Sequence, residues 1–147
     1  MLCPTSFAYT IERTPEGEYA ARLRALPECR PVGITIEVLL GKLEDEIVAA
    51  IEDFLKSHEP YELDHRAHAG EGLHRLNTSH AVKLQFIALM RRQKVGVSEM
   101  ARLLGCRPQE VSRLMKLSHP TKIDPLVEAI EKLGGRLDFE VLPPEVL

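Results

Sequence analysis

The twenty residues from Val97 to Lys116, VSEMARLLGCRPQEVSRLMK, constrain this chain more than any other stretch. A helix-turn-helix needs a small residue where its two helices cross, a residue tolerant of positive φ in the turn, and apolar residues beneath both helices. The segment supplies all three. Met100 and Leu104 face a core from the first helix, Ala101 is small at the crossing, and Gly105 occupies the turn. Cys106, Val111 and Leu114 anchor the second helix, and Ser98 is placed to cap the first. The second helix of such a motif enters the major groove with its N-terminal residues at base edges. Here those residues are Arg107, Pro108, Gln109, Glu110, Ser112 and Arg113. Gln109 suits adenine, Arg107 or Arg113 guanine and Glu110 a cytosine amino group, while Lys116, Thr121 and Lys122 suit phosphates. With Ser98 they form the expected DNA-binding set. One such helix reads only a few base pairs, so useful affinity calls for a dimer on a pseudo-palindromic site.

Charge divides along the chain in a way that the net value of -3 conceals. Residues 37–64 hold nine acids against Lys42 and Lys56, whereas residues 80–122 hold nine bases against Glu99 and Glu110. The basic part coincides with the motif and suits nucleic acid; the acidic part suits a cationic protein partner or is simply solvated. No apolar run reaches membrane-spanning length, and the start MLCPTSFAYTIERT has no basic segment followed by an apolar one, which places the chain in the cytoplasm. Cys3, Cys29 and Cys106 are widely spaced and odd in number, giving neither a disulfide framework nor a metal or redox pair.

Alternation of Phe7, Tyr9 and Ile11 predicts a strand over Phe7 to Arg13, and Pro15-Glu16-Gly17 turns it into a second arm at Tyr19 to Leu23. Pro31 and Gly33 interrupt any longer strand. Ile36, Leu40, Leu43, Ile47, Ile51 and Leu55 then recur at helical spacing behind Thr35, so Ile36 to Lys56 reads as a capped amphipathic helix. His58 to Gly72 lacks periodicity and reads as a loop or linker, followed by a short returning strand at Gly72 to Leu76. Ala81 to Gln93 is helical, with Val82, Phe86, Leu89 and Met90 on one side. Asp124-Pro125 starts a last helix that Gly134-Gly135 ends. Beyond it Leu137, Phe139 and Val141 alternate with Arg136, Asp138 and Glu140, predicting a terminal strand whose free edge is a dimerisation edge.

The order of these features resembles the HicB-type antitoxins, in the subclass that carries a helix-turn-helix. The resemblance runs through Glu16-Gly17-Glu18-Tyr19, Leu26-Pro27-Glu28-Cys29 and Gly33-Ile34-Thr35, then Val111-Ser112-Arg113-Leu114 and His119-Pro120-Thr121-Lys122-Ile123-Asp124. Two departures accompany it. Arg24-Ala25-Leu26-Pro27-Glu28-Cys29 keeps only part of the family's aromatic-Pro-Asp-Leu-Pro-Gly-Cys-like run, and Glu99 stands where repressors of this type often have a Gln that donates to phosphate.

The resemblance implies an α+β chain. Residues 1–76 would form a small degraded ribonuclease-H-like, dsRBD-like domain with a three- to four-stranded sheet and one main helix, its loop at 58–72. Residues 77–147 would form an all-α helix-turn-helix and dimerisation domain ending in a short strand. It further implies an antitoxin, not an enzyme and without a cofactor, that covers the active site of a HicA-type ribonuclease toxin and represses its own operon. Pro27, Glu28, Glu37, Glu44 and Glu52 are the expected toxin contacts, with the acidic helix as a counter-surface to a basic toxin. The strands Phe7 to Arg13 and Tyr19 to Leu23 offer only Glu12, not the carboxylate pair of a two-metal nuclease. His58, His65, His68, His74 and His80 lack cysteines and metal-ligand spacing, so no metal site is assigned. The competing reading is a one-component repressor whose N-terminal domain senses a small molecule. A short basic reading frame next door favours the antitoxin.

Overall fold

In the computed structural model, residues 3–57 and 67–146 are described. The chain starts as the expected hairpin, β1 (Ser6–Arg13) and β2 (Tyr19–Leu23), paired antiparallel with Tyr9 opposite Leu23 and Ile11 opposite Ala21. Its turn closes because Gly17 takes a positive φ of 84° and the Thr14 hydroxyl accepts the Glu18 N–H at 3.0 Å. The two-residue β3 (Val32–Gly33) adds to the outer side of β2, and β4 (Gly72–Arg75) returns to pair with β1, giving the order β3-β2-β1-β4. Pro31 and Gly33 shorten β3 without preventing it. Gly72 leaves room for Tyr9 where β4 crosses it, since a Cβ there would lie 2.4 Å from the ring and would have to displace it.

Helix α1 (Ile36–Ser57) packs on one face of this sheet. Thr35 caps it, its hydroxyl accepting the Val38 N–H at 3.1 Å. The buried stripe is Leu39, Leu43, Ile47, Val48 and Ile51, whereas Ile36 and Leu40, expected inside, are 42% and 39% exposed. Gly33 explains the shift. The chain at β3 approaches the first turn so closely that a Cβ on Gly33 would sit 2.6 Å from the Leu39 nitrogen, which turns Leu39 inward.

Helix α2 (Thr78–Arg92) joins two cores rather than serving one. Leu84, Ile87 and Ala88 complete the core under the sheet, while Val82, Phe86 and Met90 pack with the helices that follow. Its one-sided expectation is therefore corrected: it is flanked on both sides, so apolar residues run around most of its circumference. The expected boundary between residues 76 and 77 falls directly before this shared helix.

Helices α3 (Val97–Leu104) and α4 (Pro108–Met115) form the compact helix pair, and α5 (Ile123–Lys132) closes the second core with Leu126, Ala129 and Ile130. Two residues that the sequence places as caps, Ser98 and the Asp124 carboxylate ahead of Pro125, lie one or two residues inside their helices. Gly96 is the N-cap of α3, leaving Ser98 exposed in its first turn, and Lys122 is the N-cap of α5, leaving Asp124 in a first turn whose positive dipole end suits a carboxylate. Gly134 ends α5 at a φ of 79°.

The expected terminal strand does not form. Residues 135–143 carry no regular structure, and only Leu137 packs against the second core, while Phe139 and Val141 are 86% and 89% exposed. A strand exists only with a ladder partner, and the described chain places none beside this segment.

Candidate nucleic-acid interface and partner surface

The helix pair is built from the inside by small and apolar residues at the positions where the sequence has them. Met100 and Ala101 of α3 and Val111 and Leu114 of α4 are buried, and Leu104 and Cys106 pack at the margin. Gly105 sits in the left-handed region at φ 66° and ψ 34°, and the Cys106 N–H closes the turn on the Ala101 carbonyl at 3.0 Å. Pro108 opens α4, where its missing N–H costs nothing.

This packing leaves one face of α4 bare. Arg107, Gln109, Ser112, Arg113 and Lys116 are exposed, as are Ser98 and Lys122 nearby. Arg107 stands at the N-terminal, positive end of α4, while Arg113 in its last turn and Lys116 at its C-cap extend the basic face along the helix. Two members of the expected set also make contacts within the chain. The Glu110 carboxylate accepts the Arg107 backbone N–H at 3.4 Å, capping its own helix, and the Thr121 hydroxyl donates to the His119 carbonyl at 3.4 Å. Burial and the neighbouring Glu110 both push the Cys106 thiol upward, and burial takes Cys3 and Cys29 to about 11, so none of the three offers a thiolate at neutral pH.

The expected partner residues do not share one surface. Pro27 and Glu28 are exposed on the loop after β2, beside a groove of about 420 Å³ shared with Asp53 and Phe54 of α1. Glu37 is exposed at the other end of that helix, about 24 Å away along its axis. Glu44 is turned inward. Its carboxylate takes His74 Nε2 at 2.5 Å, His80 Nδ1 at 2.6 Å and the Asn77 N–H at 2.8 Å. Glu52 accepts the Ser118 N–H at 2.9 Å, bridging α1 to the loop after α4.

His58 and His65 lie outside the described residues, and so do Glu59, Glu62 and Asp64 of the acidic stretch. His74 and His80 each turn one ring nitrogen to Glu44, and among the described residues no group of three or more His, Cys, Asp or Glu is arranged to hold a metal ion. Glu12, the lone strand carboxylate, is paired with Arg22 and Arg30. No helix among the described residues is long and apolar enough to cross a membrane.

Sequence reasoning missed two features. Around Glu37, Ile34, Ile36, Val38 and Leu40 are 71%, 42%, 41% and 39% exposed, an apolar patch at the start of α1. Periodicity assigned part of it to the core because 36, 40, 43 and 47 fit a helical stripe as well as 39, 43 and 47 do. The other is Lys83, only 1% exposed. Its signal was a lone lysine inside the apolar run AVKLQFIALM.

A comparison with models of protein families gives no match. Among curated proteins, the chain is similar to antitoxin HicB 2 of Photorhabdus laumondii, 32% identical over 124 residues that cover 84% of this chain and 88% of that protein. It is 26% identical to antitoxin HicB of Escherichia coli over 133 residues, 90% of this chain and 96% of the relative. A second Photorhabdus laumondii protein, antitoxin HicB 1, is 27% identical over 135 residues, covering 92% and 86%.

Proposed function

The chain belongs to the HicB antitoxin family, and from that premise we propose that it is the antitoxin of a toxin-antitoxin pair that neutralises a HicA-type RNA-cleaving toxin and represses its own operon. The observation that carries the DNA half is the bare, basic face of α4, held over a buried helix crossing with glycine in its turn. In this reading Arg107, Gln109 and Arg113 meet base edges, with Ser112 beside them. Lys116, Lys122 and Ser98 contact the backbone. Glu110 and Thr121 act indirectly, by shaping the helix and its following loop. Two copies bind a pseudo-palindromic site, joined by pairing of the exposed segment 136–141 with its symmetry mate, which would supply the ladder that the single chain lacks.

The toxin half resides in residues 1–76, with the operator half in 77–147. Glu37, set in the apolar patch of Ile34, Ile36, Val38 and Leu40, combines an exposed apolar surface with an acid and is the stronger docking candidate. Pro27 and Glu28 form the second. Glu44 and Glu52 serve the antitoxin's own architecture. The protein acts by occupying surfaces, without catalysis or cofactor, in the cytoplasm where its toxin and operator are.

Co-expression with the protein encoded by the adjacent reading frame tests the proposal. The two are expected to co-purify, and Glu37→Arg in the full chain to weaken the complex while operator binding persists. A full-length chain that neither binds nor inhibits that neighbour would overturn the toxin half.

A further inference from the structure

Lys83 is buried, 1% exposed, in the middle of α2. An ammonium withdrawn from water is costly unless its donors are satisfied. It has three N–H donors, and three carbonyls surround it: Arg113 at 3.2 Å, Lys116 at 2.9 Å, and His119. All three belong to the end of α4 or the loop that leaves it; the Arg113 and Lys116 carbonyls also accept the Lys116 and His119 N–H at 3.3 and 3.1 Å, so Lys83 is a second donor to each. A cation there also opposes the negative end of the helix dipole. From the other side, Glu52 of α1 accepts the N–H of Ser118, in the same loop. Burial pushes the Lys83 ammonium below its ordinary range, and the Glu52 charge works against that.

We infer that Lys83 and Glu52 are positioning residues for DNA reading, together fixing the C-terminal end of α4 so that Arg107 to Arg113 are held at one height and angle. The inference rests on the proposed role of α4. An eight-residue helix is too short to hold its own conformation. Its middle is anchored by Val111 and Leu114, its far end is held by Lys83 of α2, and the loop leaving it is held at Ser118 by Glu52 of α1, the main helix of the N-terminal half. The DNA-reading helix is therefore set by residues outside the helix-turn-helix. Neither Lys83 nor Glu52 reaches DNA.

The test uses the full chain, a duplex spanning the region upstream of its own reading frame, and amide hydrogen exchange over 113–119. Lys83→Met is expected to speed exchange there and to weaken duplex binding about tenfold, since the carbonyls lose their buried donor. Glu52→Ala is expected to do the same more mildly. Glu52→Gln, whose amide oxygen still accepts the Ser118 N–H, should restore binding to within about twofold of the wild type. Should Lys83→Met fail to fold, the Glu52 pair decides. Unchanged exchange and binding in Glu52→Ala overturn the inference, as does a Glu52→Gln variant no better than Glu52→Ala. Arg113→Ala separates the two claims. A wild-type chain that binds no duplex, or an Arg113→Ala chain that binds normally, overturns the assignment of α4 as the reader, and exchange over 113–119 then decides the clamp alone.

Discussion

His80 Nδ1 meets the Glu44 carboxylate at 2.6 Å, tying the first turn of α2 to the middle of α1. His74 of β4 and the Asn77 N–H converge on the same carboxylate, so a single acid joins the sheet, the main helix and the start of the shared helix. Burial alone would raise the Glu44 carboxyl, but the hydrogen bonds from His80, His74 and Asn77 outweigh it and hold the group below the usual carboxylate range. A carboxyl with a lower value folded than unfolded adds stability above its unfolded value and loses it as pH falls through the folded one. Glu44→Gln should thus cost about 1–2 kcal/mol at neutral pH. Chemical denaturation from neutral to acid pH should show the gap between the two proteins closing below the ordinary carboxylate range. A constant gap would contradict the assignment.

Gly105 carries the turn of the helix pair in the left-handed region, with no heavy atom near enough to obstruct a Cβ. Gly105→Ala therefore tests backbone conformation without a clash. It should destabilise the chain by about 1 kcal/mol, read as a lowered melting temperature. Equal stability would mean that the turn relaxes to another conformation.

Arg113 is exposed on α4, whereas its own carbonyl is held by Lys83. Arg113→Ala should leave the melting temperature in place, weaken operator binding and relax sequence preference, with little change in the salt slope of log K, as a base-edge contact requires. A fall in that slope by about one with sequence preference intact would place the guanidinium on a phosphate instead, and unchanged binding would overturn the assignment of α4 as the reader.

Phe139 and Val141 are exposed side chains on a segment without regular structure. A chain ending at Gly135 should sediment as a monomer and bind the operator poorly, whereas the full chain should sediment as a dimer. A stable dimer from the shortened chain would place the interface elsewhere.

The hairpin, α1 and the α3–α4 pair were legible because their signals are local. Pro15-Glu16-Gly17 makes a turn from three residues, Thr35 caps with its own hydroxyl, and Gly105 provides positive φ without help. The exposed set Arg107, Gln109, Ser112 and Arg113 was equally legible, since four buried neighbours at helical spacing determine which side of each helix faces out. The apolar stripe of α1 was read one row off at its start, because the choice between Leu39 and Leu40 depends on how near Gly33 comes to the helix.

Sequence alone determined the α3–α4 helix pair with its glycine turn, the division of charge and the order of elements, because propensity, capping and periodicity act within a few residues. Only the tertiary structure decided that α2 serves two cores, that Glu44 and Glu52 bind inside the chain, and that Lys83 clamps the end of α4. These contacts span some 30 to 66 residues along the chain, and no local pattern records which distant carbonyl will meet a buried ammonium. Burial makes such pairings obligatory once the fold has formed, since an unpaired charge in that position would cost more than the contact does.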